Sequence, residues 1–208
     1  MKKILIIGHL GNMGKRYTAV CKRLGIKVVG QDFNDPRPPM SGVDGIIIAS
    51  PTSSHTRDIL NYSGYDLPYL CEKPLSKLPI ELDNFIDVTK KLGIRLKMIN
   101  QYEQLLNPDF RGDTHYNYFN TGKDGIAWDC INILGLAKGT VTLHNDSPIW
   151  DCQINGQKLS IADMDGAYIS MIEKWAEYPD QNLDYIRTSH LKVFRYLREV
   201  NKRVIHEQ

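Results

Sequence analysis

Several things are scarce in this sequence, and each scarcity removes a class of protein. No apolar run comes near the roughly 20 residues that span a bilayer; the long ones, such as Ile4 to Ile7 and Ile46 to Ala49, suit single short strands. Lys2-Lys3 followed by Ile4-Leu5-Ile6-Ile7 is too brief for a secretory leader, because Gly8 ends the apolar stretch and no small-residue cleavage site follows. A cytoplasmic protein with no membrane partner is therefore expected. Four cysteines, Cys21, Cys71, Cys130 and Cys152, are scattered over 208 residues without a CxxC pair, which excludes a disulfide scaffold and argues against a four-cysteine metal site. No metal is expected. Net charge is also small: 26 Lys plus Arg against 24 Asp plus Glu leave +2, too little for the field of a protein that grips nucleic acid. Internal repeats and low-complexity tracts are missing, and 42% hydrophobic residues suffice for a packed core.

What is present is an alternation of short β-branched runs and helical patterns over the first hundred residues. Strands are predicted at Lys3 to Ile7, Ile26 to Asp32, Gly45 to Ser50, Pro68 to Cys71 and Arg95 to Asn100. Helices are predicted at Met13 to Leu24, Thr56 to Asn61 and Pro79 to Leu92, the last with Leu82, Phe85, Ile86 and Thr89 on one side. Beyond Gln101 the texture turns aromatic and Asn-rich. Thr140 to His144, Ile149 to Ile154 and, after the Asn155-Gly156 turn signal, Gln157 to Ile161 read as three strands of one antiparallel sheet. Helices are predicted at Asp165 to Glu177 and Ser189 to about Arg203. The fold class is α/β: a Rossmann-type parallel sheet over 1–101, then a small α+β domain over 102–208 with a mostly antiparallel sheet.

The first strand runs into Gly8-His9-Leu10-Gly11-Asn12-Met13-Gly14, and a helix follows at once. Glycines here permit a tight turn and close approach of backbone to a pyrophosphate, and the helix N-terminus offers free N–H groups to phosphate. The spacing, GxxGxxG, is one residue longer than GxGxxG. Asp32 closes the second strand, where a carboxylate accepts hydrogen bonds from a ribose diol and repels a 2′-phosphate. NAD is thus the expected cofactor, with Arg37 keeping NADP open.

Two further segments, Asp44-Gly45-Ile46-Ile47-Ile48-Ala49-Ser50-Pro51-Thr52-Ser53-Ser54-His55 and Cys71-Glu72-Lys73-Pro74-Leu75, join the glycine loop in a recognisable order. Together they resemble the family of glucose-fructose oxidoreductase, inositol dehydrogenase and MocA over residues 1 to about 101. The resemblance implies a nicotinamide-binding Rossmann domain and an α/β domain that supplies the substrate pocket and often the oligomer interface. It implies that Gly8, Gly11, Asn12 and Met13 meet the pyrophosphate and Asp32 the ribose, and that Ser50, Pro51, Thr52 and His55 line the path to the nicotinamide. Glu72, Lys73 and Gln101 would stand where cofactor and small-molecule substrate meet. Lys73 is the main catalytic candidate, because an ammonium can hydrogen-bond the reacting oxygen and stabilise its developing charge.

The chain departs from the family pattern twice. The family pairs an Asp with a His four residues later, whereas Gly125 to Leu134 offers Asp129, then Ile133, with Asn132 the nearest polar side chain. Asp129 and Asn132 are carried as catalytic candidates, yet Asn cannot transfer a proton near neutral pH. Lys73 acting with water, or Tyr116, Tyr118 or His115, are the substitutes open. The family's second domain is also longer, so the pocket and the expected homodimer surface on the C-terminal sheet are abbreviated; Trp128, Trp150 and Trp175 are candidates to line them, or to fill the core. Three functions remain: hydride transfer to or from a sugar, cyclitol or nucleotide-sugar derivative, double-bond reduction as in biliverdin reductase, and a dinucleotide-binding regulatory module without catalysis.

Overall fold

The computed structural model describes residues 1–106, 114–117, 127–137, 151–154 and 156–206. Five strands, β1 (Lys3–Ile7), β2 (Lys27–Gln31), β3 (Gly45–Ile48), β4 (Tyr69–Cys71) and β5 (Leu96–Met98), form a parallel sheet in the order β2-β1-β3-β4-β5. The pairing register sets Ile6 between Gly30 and Ile47. Strands covered on both faces read as unbroken apolar runs, and Ile4, Leu5, Ile6, Ile46, Ile47 and Ile48 are all fully buried. At about 1.5–3 kcal/mol for each such side chain, these two strands supply a large share of the sheet's stability. Successive strands are added on one side of β1 and then, from β3 onward, on the other, and the carboxyl ends of the parallel neighbours β1 and β3, Gly8 and Ala49-Ser50, flank the crevice where open α/β sheets take ligands.

Helix α1 (Asn12–Arg23) buries Gly14, Tyr17, Val20 and Cys21 at helical spacing and carries Lys22 and Arg23 in its last turn, where the helix dipole favours cations. Helix α2 (His55–Tyr62) follows β3, and α3 (Pro79–Lys91) starts on a proline and buries the expected Leu82, Phe85, Ile86 and Thr89. Two more helices begin earlier than the periodicity indicates. Helix α5 (Ile161–Glu177) starts one turn before Asp165, because Ser160 and Asp163 exchange hydrogen bonds as a capping pair at its start. Helix α6 (Leu183–His206) starts six residues before Ser189, the Ile186 amide donating to Asn182 O. Helix α4 (Ile131–Leu136) is the short helix between them and β5.

The second sheet is antiparallel, β6 (Thr114–Asn117), β7 (Asp151–Ile154) and β8 (Gln157–Lys158) in that order. Its composition corrects the sequence expectation: Thr114–Asn117, a polar segment not predicted as a strand, pairs along β7, and β8 ends at Lys158 because Ile161 already belongs to α5. Thr140 to His144, like Tyr118 and Trp150, lies outside the described residues. Gly156 turns the β7–β8 hairpin with φ of +77°.

Two compact units result. The first comprises Met1–Ile99 with Tyr168–Ile186, the second Asn100–Ala167 with Arg187–Gln208.

Candidate functional site

Within the first unit the glycine loop is shaped as a cradle. Gly8 has φ of +81°, and a Cβ there would lie 2.6 Å from Ser50 N; a Cβ on Gly14 would collide with Gly8 O and stand 2.6 Å from the His9 Cα. Only glycine fits at either position. Gly11 precedes α1 with no side chain capping the helix, so the first-turn amides of Asn12, Met13 and Gly14 remain for a ligand. Gly11 and Asn12 are exposed and Met13 half-buried. The cradle fits a pyrophosphate.

Beside it, Ile7, Gly8, Asp32, Phe33, Arg37, Ser50, Pro51 and Tyr62 are among the residues that line a pocket of about 220 Å³. The Asp32 carboxylate accepts from the Leu10 amide at 3.0 Å and from its neighbour Phe33 N at 3.1 Å, so it holds the glycine loop as well as facing the pocket. His9 Nδ1 approaches it to 3.8 Å. The Arg37 guanidinium, on the same pocket, lies 4.7 Å from the Tyr62 ring centroid and donates to Asn61 O at 2.8 Å. A ribose diol fits this pocket as a cofactor subsite. Phe33 and Tyr62 are pocket residues that the sequence pattern did not single out, though Phe33 directly follows Asp32. Thr52 lines a different cleft, of about 1070 Å³ between α2 and α3, with Arg57, Leu75 and Lys77.

The Glu-Lys-Pro segment leaves β4 with a buried carboxylate. Glu72 Oε1 accepts from the Tyr17 hydroxyl of α1 and Oε2 from the Lys73 amide at 2.9 Å. Burial and the Glu72 charge push the Tyr17 hydroxyl well above the ordinary tyrosine range. Tyr168 stands edge-on to Tyr17 with centroids 5.9 Å apart, its own pKa raised to about 12 by burial and Glu72, while Lys73 and Arg16 act in the opposite sense. Both tyrosines are therefore proton-bearing donors at neutral pH. Lys73 is half-buried and joined to Pro74 by a cis peptide. Tyr17 and Arg16 are neighbours that pattern matching missed, since nothing in a motif reports what packs behind it. His55 is buried, with both ring nitrogens on protein carbonyl oxygens, which sets it behind the Ser50–Pro51 loop rather than on its surface.

The remaining candidates belong to the second unit. Asn132, fully buried, donates from Nδ2 to Gln101 Oε1 at 3.1 Å; Asp129 is half-buried; Ile133, at the position of the family histidine, is a core residue with no exposure. A second imidazole absent from the sequence reasoning, His190, is buried among Trp128 and Phe194. Trp175 is fully buried in the first unit and serves its core. All four cysteines are buried. Burial pushes the Cys21 thiol to about 11 and the Cys71 thiol up, so neither is a nucleophile near neutral pH. Among the described residues no cluster of His, Cys, Asp and Glu could hold a metal, and no helix is long and apolar enough to cross a membrane.

No protein-family model and no curated protein sequence matches the chain. Solved structures do. A Gfo/Idh/MocA family oxidoreductase from Vibrio cholerae superposes with a TM-score of 0.75 at 14% identity, over 99% of this chain and 100% of that one. The WlbA (WbpB) dehydrogenase from Thermus thermophilus, solved in complex with NAD and UDP-GlcNAcA, gives 0.66 at 16% identity, over 93% and 94%. A myo-inositol dehydrogenase from Corynebacterium glutamicum gives 0.66 at 11%, over 93% of both chains. The fold is that of the Gfo/Idh/MocA oxidoreductases, as the three sequence motifs imply.

Proposed function

We propose that the protein is a nicotinamide-dependent oxidoreductase that moves a hydride between NAD and a secondary alcohol or carbonyl of a sugar, cyclitol or nucleotide-sugar derivative. The observation that carries this is the glycine cradle opening onto Asp32 at the sheet's switch point, with Ser50 and Pro51 on its other wall. Asp32 favours an unphosphorylated ribose, while Arg37, on the same pocket, rests on the Tyr62 ring and Asn61 O. The solved neighbours bound to NAD lie in the same direction.

A bound nicotinamide supplies the hydride acceptor or donor. This chain's own residues position and discharge the substrate: the Lys73 ammonium donates to the reacting oxygen and stabilises its negative charge, and the buried Glu72 carboxylate fixes the Lys73 backbone from which that ammonium projects. Asp129 is assigned to substrate positioning and Asn132, buried on Gln101 Oε1, to holding that side chain, because Ile133 leaves no imidazole in that segment to carry a proton. That same residue favours a second reading, a dinucleotide-binding module without turnover. Assembly as a homodimer through the antiparallel sheet completes the proposal, and light scattering on the purified chain tests it.

Mass spectrometry of the purified protein should find NAD or bind it on addition, and the reduced nicotinamide absorbance should change with at least one member of a panel of sugars, cyclitols and nucleotide sugars. Lys73→Ala should abolish that turnover while dinucleotide binding persists. Binding without turnover across the panel selects the second reading; no binding sinks both.

A further inference from the structure

His55 opens α2 with 1% of its surface exposed. Its ring bridges two loops that leave different strands: Nε2 lies 2.8 Å from Ser50 O, at the exit of β3, and Nδ1 lies 3.0 Å from Pro74 O, just beyond β4 and Lys73. A carbonyl oxygen only accepts, so each contact asks the ring for an N–H. The neutral imidazole has one and the imidazolium two. The two loops are those on which the dinucleotide reading depends, Ser50 and Pro51 lining the ribose pocket and Lys73 bearing the ammonium.

We propose that His55 is a positioning residue that fastens the Ser50–Pro51 loop to the Lys73–Pro74 loop, so that both present one rigid surface to a bound dinucleotide. The inference rests on the dinucleotide reading above. The ring touches no cofactor itself; it acts through the two carbonyl groups it holds, and α2 anchors it by burial.

The number of bonds follows the ring's proton count. Burial holds the His55 pKa below its ordinary value, while the two carbonyls and the Glu72 and Asp58 carboxylates act against that. Of the charged groups that bear on the ring, Glu72 at the end of β4 is occupied by Tyr17 of α1 and the Lys73 amide. Asp58, one turn along α2, accepts from Arg57 and from the Ser50 hydroxyl at 2.6 Å. Near neutral pH the ring donates to one loop; acidification supplies the second N–H and closes the clasp.

Fluorescence titration of the full chain with NADH, at about pH 7.5 and at the lowest pH at which the chain stays folded by thermal melting, because burial holds this ring below the ordinary histidine range, tests this. The wild type should bind more tightly at the lower pH. His55→Phe keeps the ring's bulk and loses both nitrogens; it should raise the dissociation constant by about tenfold or more and remove the pH step. His55→Gln keeps an amide donor, and should recover part of the affinity without the step. Wild-type binding that is flat between the two pH values overturns the inference with no variant needed. So does a His55→Phe protein that is folded by thermal melting and binds NADH as the wild type does. In both cases the dinucleotide reading survives, whereas a wild type that binds no NADH removes the two together.

Discussion

Asp32 uses one carboxylate for two purposes, and a pair of substitutions separates them. Its hydrogen bond from the Leu10 amide ties the glycine loop to the end of β2, and its charge selects against a phosphorylated ribose. Asp32→Asn retains an acceptor oxygen for Leu10 and loses the charge, so NADH and NADPH affinities should converge to within about threefold while the fold is unaffected. Asp32→Ala loses both and should also lower stability by about 1 kcal/mol, a typical value for one hydrogen bond. Paired titrations and denaturant unfolding check this; an Asn variant that keeps full NADH preference would show that discrimination lies elsewhere. His55 adds a pH dependence with a definite sign. Burial lowers its pKa in the folded chain, so as pH falls the unfolded chain takes up the proton first. Its contribution is complete above about pH 6.5, the unfolded value, and is lost as pH drops toward the folded one. Urea unfolding between pH 7.5 and 5 should show that loss in the wild type and not in His55→Gln.

At the scale of elements, the glycine loop makes an unequal prediction for two glycines that a motif treats alike. A Cβ on Gly11 meets only Gly8 O, at 3.3 Å, whereas one on Gly14 runs into the backbone of Gly8 and His9. Gly11→Ala should therefore bind NADH within about a few-fold of the wild type, and Gly14→Ala, which pushes α1 off β1, should lose both binding and about 2 kcal/mol or more of stability, in the range of core overpacking. Equal effects would mean that the helix start does not hold the loop. The parallel strands and α1 to α3 were readable because their signals are local: unbroken apolar runs for strands covered on both faces, and a four-residue buried stripe for each long helix. Strand β6 was not, because Thr114–Asn117 owes its strand state to β7, whose Ile154 pairs with Thr114 across 40 positions, and no local pattern announces a partner so distant. The starts of α5 and α6 did carry signals, Ser160 with Asp163 and Asn182 before Leu183-Asp184, but periodicity outweighed the caps. The site was legible as far as motifs reach. Tyr17 behind Glu72 and the two carbonyl groups around His55 were not, since they depend on what three separate elements place side by side.

For the whole molecule, the first unit is discontinuous, and its second segment is structural. Residues 168–186 return to the parallel sheet's unit long after the chain has left it. Trp175 is fully buried there, and a Cβ on Gly45 at the start of β3 would be 2.8 Å from its Cη2, so the indole fills the space that a glycine leaves open. Polar links reinforce the seam, among them the Met98 amide donating to Asn182 Oδ1 at 3.0 Å, Gln181 Nε2 to Ile94 O at 2.9 Å, and Lys97 Nζ to Asp180 Oδ1 at 3.1 Å. The Lys97 pair is half in solvent and contributes little, whereas the indole's burial dominates. Trp175→Ala should cost about 3–5 kcal/mol, the range for emptying a large aromatic site. Trp175→Phe should cost well under half of that, because Nε1 has no hydrogen-bond partner among the described residues and its loss leaves none of them unsatisfied. A fragment ending at Gln101 carries the glycine loop, Asp32 and Lys73, yet lacks the indole and the polar groups that residues 168–186 bring to the seam. Such a fragment should unfold at lower denaturant than the full chain and bind NADH more weakly. If the fragment instead matches the full chain in both denaturant midpoint and dissociation constant, the returning segment lies on a sheet that is already complete without it.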